Sequence, residues 1–237
     1  MKALLDAALA DPWSAMERLV DGPLHPGGRE ATAALLDRAD VGPGTRLLDV
    51  GCGAGDALAL ARDRGATAWG IDPAPGTDRA VRGDATTLPV QAGSVDVVLA
   101  ECVLCLTDLS AALTETERVL ADGGRLALSD VVVKGDEPAL PEPVAEALCL
   151  TGARSRERVT EALDAAGFTV GTVRDHREDL LAMRDQVTEQ VDYAGLLGAM
   201  GERGRAVREG IERVEDAVAD GRVGYVSLVA TGTPGTP

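Results

Sequence analysis

Aromatic side chains are scarce, with one phenylalanine, two tyrosines and two tryptophans in 237 residues. A core made without them must be packed from Leu, Val and Ala, and a flat ligand ring would be sandwiched mainly by aliphatic groups. Basic residues are outnumbered too, 23 Lys and Arg against 39 Asp and Glu, for a formal charge of −16 and a pI near 4.5. That balance speaks against a nucleic acid or an anionic membrane as partner, because phosphate backbones demand a basic face. A small-molecule substrate fits better. No apolar run reaches the roughly 20 residues that span a bilayer. The N-terminal stretch carries Asp6, Asp11 and Glu17 in an amphipathic pattern, without the apolar core and cleavage site of a signal peptide, so the chain reads as cytoplasmic. Four cysteines, at 52, 102, 105 and 149, are too few and too irregular for a disulfide framework. With no histidine beside them they do not form a zinc site either, and no metal is expected.

What is present is alternation. Strand-length apolar runs at Arg46–Val50, Thr67–Ile71, Arg79–Arg82, Val95–Ala100, Arg125–Asp130, Phe168–Arg174 and Val223–Ala230 are interleaved with helical patterns, the mark of a parallel sheet with crossover helices. Helices are expected over Lys2–Val20, Arg29–Ala39, Asp56–Arg64, Leu109–Leu120, Glu142–Leu150, Ser155–Ala166 and much of Glu178–Ala219. Ser155 reads as a helix cap and Gly167 as a stop. Between Ile71 and Arg79 the segment DPAPGTD is too short and too rich in Pro and Gly for a helix, so a loop crossover is expected there. The chain divides into an N-terminal helical cap segment (1–45), an α/β core (46–174), a helical insertion (175–222), the last core strand (223–231) and a disordered tail (232–237). The insertion reads as a packing or dimerisation arm, giving a possible homodimer, or as a lid over the substrate.

The segment DVGCGAGDA, Asp49–Ala57, places Gly51, Gly53 and Gly55 between a strand and a helix, where backbone approaches a ligand closely. A dinucleotide fingerprint would put its third glycine at Asp56, and an acid there repels a pyrophosphate; no G-K-[ST] follows, which excludes a P-loop. The D-x-G-x-G-x-G pattern resembles that of class I S-adenosylmethionine-dependent methyltransferases. Further resemblance lies in Gly70–Ile71–Asp72, in Gly83–Asp84–Ala85 before Leu88–Pro89, in Ser94–Val98, and in Arg118–Val119–Leu120 with Gly123–Gly124–Arg125–Leu126. The family likeness implies a Rossmann-like α/β fold with a seven-stranded sheet, the last strand antiparallel between the fifth and sixth, and helices on both faces. It also implies S-adenosyl-L-methionine as cofactor and S-adenosyl-L-homocysteine as product. Asp49 would then face the methionine ammonium, Gly51, Gly53 and Gly55 would offer backbone, and Asp72 with Pro73 would meet the ribose. Asp84 with Ala85 would meet the adenine. An acidic turn suits a ligand that is cationic and lacks phosphate.

Acceptors in this family bind beyond the fourth and fifth strands, where the chain reads AECVLCLTD, so Glu101 and the cysteines after it border the transferred methyl. ECVLCL and Cys149–Leu150–Thr151–Gly152–Ala153 resemble the arsenite methyltransferase branch, in which that cysteine binds trivalent arsenic, although no cysteine follows Cys149 here. His25 is the general-base candidate, in a Pro/Gly loop that could cover the cofactor. Catalytic candidates are therefore His25, Glu101 and Cys149, with Glu101 also on the cofactor side. The expected function is methyl transfer to a small-molecule acceptor. The alternatives are a thiol or metalloid methyltransferase using Cys149, and a regulatory protein that holds the cofactor without transferring methyl.

Overall fold

The computed structural model describes residues 23, 25–135, 140, 142–190, 198 and 201–233. The helix expected over Lys2–Val20 and the last four residues of the tail lie outside them. The first strands are β1 (Arg46–Val50), β2 (Thr67–Asp72) and β3 (Ala80–Arg82). They are followed by β4 (Val95–Glu101), β5 (Leu120–Val133), β6 (Phe168–Val170), β7 (Arg174–Asp175) and β8 (Val223–Gly232). Helices are α1 (Gly28–Arg38), α2 (Asp56–Asp63), α3 (Leu109–Val119), α4 (Glu142–Ala147), α5 (Arg156–Ala165), α6 (Arg177–Gln190) and α7 (Glu202–Ala219). The strands form one sheet in the order β3-β2-β1-β4-β5-β8-β6, with β7 also pairing β8. Strands β1 to β5 run parallel and β8 runs antiparallel between β5 and β6, as the family likeness implied.

Period-two alternation explains why the central strands are apolar throughout. Leu48 and Val50 of β1 and Val98 and Ala100 of β4 face α3 and α5, joined by Leu113, Leu126, Leu163 and Phe168. Leu47, Val97 and Leu99 point the other way, onto Leu35, Leu36, Leu58 and Ala61 of α1 and α2. Both faces are therefore covered, and each fully buried leucine contributes about 1.5–3 kcal/mol. A third cluster packs Val131, Val133 and Tyr225, where β5 and β8 pair, against Ala217 and Val218 of α7.

Two details differ from a uniform α/β alternation. The β2–β3 link has no helix, as its composition predicts, and Trp69 and Val81 on that side remain 48% and 57% exposed. The strand expected over Phe168–Arg174 is split into β6 and β7. The Gly171 amide still bonds the Val229 carbonyl at 2.9 Å, but the pairing with β8 slips between Val170↔Ala230 and Arg174↔Ser227, which is how a bulge kinks an edge. No described helix is long and apolar enough to cross a membrane.

Candidate active site

The site forms at the carboxyl ends of β1, β2 and β4. After Val50 the chain turns through Gly51 and Gly53, both at positive φ (+77° and +46°), and Gly55 caps α2. A Cβ on Gly51 would lie 2.2 Å from Val103 Cγ2, so only glycine lets the turn seat against the loop after β4. Nothing lies within 4 Å of where a Gly53 Cβ would be; that backbone is open to an incoming ligand. The turn is fixed from β2: the Gly51 and Cys52 amides donate to the Ile71 carbonyl at 2.7 and 3.3 Å, and the Gly53 amide donates to Asp72 Oδ2 at 2.9 Å.

These elements enclose a cavity of about 630 Å³ whose lining includes Asp49, Gly51, Gly53, Gly55, Asp72, Pro73, Asp84, Ala85, Glu101 and His25. Each cofactor-side candidate thus borders one space. The size suits a small molecule, for which 300–1,000 Å³ is usual. Six carboxylates line it, Asp49, Asp56, Asp72, Asp84, Glu101 and Glu146, and among the described lining residues there is no lysine or arginine. Asp49 is the most constrained of them. It is buried, its Oδ2 has no hydrogen-bond partner, and burial, followed by the nearby Glu101 and Asp72 charges, raises its pKa well above the ordinary carboxylate value. A buried acid left this way calls for a cation that the protein itself does not provide.

Asp72 accepts from the Ala74 amide at 2.7 Å as well as from Gly53, and the Pro73 carbonyl accepts from Arg82 Nε at 2.6 Å. Asp84 Oδ1 takes the Thr86 hydroxyl at 2.7 Å and the Thr86 amide at 2.8 Å, bonds that hold its pKa down. Both acids therefore brace turns with part of their acceptor capacity.

On the acceptor side, Glu101 ends β4. Its Oε1 accepts from the Ser129 hydroxyl at 3.2 Å and its Oε2 from the Thr32 hydroxyl at 2.9 Å, while His25 Nε2 lies 3.5 Å from Oε2. Ser129 in turn accepts from the Tyr225 hydroxyl at 2.7 Å. His25 and Glu101 are both buried at the cavity wall. Thr32, Ser129 and Tyr225 were not singled out in the sequence. Thr32 left one signal, a hydroxyl on the apolar stripe that α1 buries with Leu35 and Leu36. The contact between Ser129 and Tyr225 left none, the two being 96 residues apart and joined only through the β5–β8 pairing.

The cysteines divide differently. Cys52 and Cys102 line the cavity, but Cys149 does not; it sits behind Cys102, its thiol donating to the Cys102 carbonyl at 3.7 Å. Although its hydrogen bond with Cys102 pulls its pKa down, a second with Cys105 and burial carry it well above the ordinary thiol value. Burial likewise pushes Cys52 up to about 12. Thiols so placed are poor nucleophiles and poor soft-metal ligands. No group of three or more His, Cys, Asp or Glu suited to a metal occurs among the described residues. The described parts of the insertion, α6 and α7, contribute no lining residue.

The family model described as a methyltransferase domain matches residues 48–128. The chain is 32% identical over 234 residues to the methyltransferase GfsG of Streptomyces halstedii, a match that covers 88% of this chain and 81% of that protein. It is 34% identical to the nocamycin O-methyltransferase of Saccharothrix syringae, over 64% of this chain and 68% of the relative. Among solved structures, that of the [4+2]-cyclase SpnF superposes with a TM-score of 0.72 at 25% identity, covering 96% of this chain and 93% of the other.

Proposed function

The chain belongs to the family of S-adenosylmethionine-dependent methyltransferases acting on small molecules, and from that premise we infer that it methylates a hydroxyl group of an uncharged acceptor. The cofactor is S-adenosyl-L-methionine, which when bound supplies a methyl group activated by its sulfonium centre. The cavity suits it on two independent counts. The unpartnered Asp49 Oδ2 matches a ligand ammonium, and the open backbone above Gly53 matches a ligand that needs close approach without phosphate. In this reading Asp49 holds the ammonium and Asp72 accepts from the ribose hydroxyls. Asp84 and Ala85 meet the adenine, and Glu101 and His25 face the acceptor.

The observation that carries the acceptor class is the part of the lining not given to the cofactor, where Glu101 and Glu146 stand without a described lysine or arginine. A phosphate or carboxylate acceptor would have to be desolvated against like charge, which costs several kcal/mol. An alcohol or phenol meets no such barrier, and its weakly acidic proton needs a base, which the Glu101–His25 pair offers. Methylation of oxygen agrees with the activity in the name of the nocamycin relative. Alignment in the cavity then supplies most of the acceleration.

The test is incubation with S-adenosylmethionine carrying a labelled methyl and a panel of neutral phenols and alcohols beside carboxylate and phosphate analogues. Label recovered as a methyl ether of neutral acceptors is expected; label found only on the anionic ones would overturn the reading. The cyclase likeness motivates a second reading, in which the cavity binds the cofactor and shapes a ring closure. It predicts turnover that persists when S-adenosylhomocysteine replaces S-adenosylmethionine and leaves no label in the product.

A further inference from the structure

We propose that the Thr32 hydroxyl is a positioning residue that joins Glu101 and His25 into one proton acceptor, a reading that rests on the hydroxyl-methylation assignment above. The argument is a count of protons. His25 Nδ1 lies 3.1 Å from the Pro26 carbonyl, which can only accept, so Nδ1 carries a proton. Thr32 Oγ1 lies 3.0 Å from His25 Nε2 and 2.9 Å from Glu101 Oε2. Its single proton cannot serve both. With Glu101 ionised and Nε2 bare, one of the two contacts sets lone pair against lone pair.

One added proton removes the conflict, and it does so in two ways. On Glu101 it donates to Thr32, whose own proton then turns to Nε2. On Nε2 it donates to Thr32, whose proton then turns to Glu101. The two arrangements interconvert by passing one proton in and one proton out at the same hydroxyl. When the acceptor's O–H proton moves to a Glu101 oxygen, the acceptor oxygen keeps the bonding pair, and the buried chain becomes fully hydrogen-bonded. A buried polar group is costly while unsatisfied, so completing the chain favours proton uptake at the moment the acceptor gives one up.

The surroundings sharpen the role of Thr32. Asp49 from β1 and the Tyr225 phenol from β8 face Glu101, and the charge of Glu101 helps raise both of their pKa values. Ser129 of β5 supplies a hydroxyl to the other carboxylate oxygen and the Cys102 thiol follows in the chain. Thr32, fully buried on α1, is the bridge between His25 and the carboxylate. The weaker contact of Thr32 to the Gly28 carbonyl, at 3.3 Å, keeps the hydroxyl on this face of the helix.

The test compares Thr32→Val, which keeps the shape and removes the hydroxyl, with Thr32→Ser, which keeps the hydroxyl. Valine is expected to lower kcat about tenfold or more and to displace the pH profile, with KM for S-adenosylmethionine changed by less than about threefold, and serine to restore kcat and profile to within about threefold. A second readout needs neither ligand nor turnover. The chain has only two histidines, so nitrogen-15 labelling resolves the His25 ring, which in the wild type should hold its proton on Nδ1 when neutral and in Thr32→Val should show a displaced Nε2 resonance, since the hydroxyl contact is lost while the Pro26 contact stays. A valine variant within twofold of wild type, a serine variant as poor as valine, or an Nε2 resonance unchanged by valine would each overturn the relay. Failure of the wild type to methylate any hydroxyl acceptor would overturn the functional reading alone, because the ring measurement still decides the relay.

Discussion

Asp49 is a residue whose chemistry opposes the stability of the fold that carries it. Burial and two neighbouring acids raise its folded-state pKa above the unfolded value. Its contribution to stability is therefore fully present below about pH 4 and is lost as pH rises through the folded pKa. Asp49→Asn should melt like wild type near pH 4 and at a higher temperature than wild type at neutral pH without ligand, the gap widening with pH; a thermal scan across pH checks it. The same variant should lose cofactor-induced stabilisation. At Asp72 both oxygens already hold backbone, through Gly53 and Ala74. Asp72→Ala should weaken S-adenosylmethionine by about 2 kcal/mol or more, read by calorimetric titration, and an affinity within about twofold of wild type would refute the ribose contact. That these residues share one cavity was legible in the sequence, because the turn dictates their spacing. Thr32, Ser129 and Tyr225 were not, since the hydroxyls matter only through the neighbour that each one reaches.

Among the elements, α6 is tied to the sheet by a small polar latch at its start. His176 Nε2 lies 2.7 Å from the Ser227 hydroxyl and Nδ1 lies 2.9 Å from Asp179 Oδ2, while Arg38 of α1 donates to Ser227 at 2.7 Å and to the Thr172 carbonyl at 2.7 Å. One serine on β8 thereby joins two helices that are far apart in sequence. His176→Ala should lower amide-exchange protection over the first turns of α6 by about tenfold, the equivalent of one lost hydrogen bond, and leave β1 and β4 unchanged; exchange mass spectrometry reads both. Strand and helix positions were largely legible, because two-sided burial writes β1, β4 and β5 as continuous apolar runs. The split between β6 and β7 was not, because it follows from how Gly171 meets β8 rather than from its own local pattern.

For the whole molecule, a charge of −16 and a cavity walled by carboxylates act in the same direction. S-adenosylmethionine carries a sulfonium charge that S-adenosylhomocysteine lacks, so its affinity should fall more steeply with salt; screening lengths shrink from about 30 Å at 0.01 M to about 8 Å at 0.15 M. Titrations of both ligands across ionic strength should show their affinity ratio closing, and parallel slopes would mean that the acids are neutralised within the protein. The sheet order was legible only through family likeness, since nothing local announces that β8 enters between β5 and β6. That insertion also sets a timetable. The glycine turn is made of β1, β2 and α2, all early in synthesis, whereas the brace behind Glu101 is finished by Tyr225 from a strand made long afterwards. A growing chain thus shapes the glycine turn well before Glu101 is fully braced, and a Glu101 held by the complete Ser129–Tyr225 chain marks a sheet that has closed.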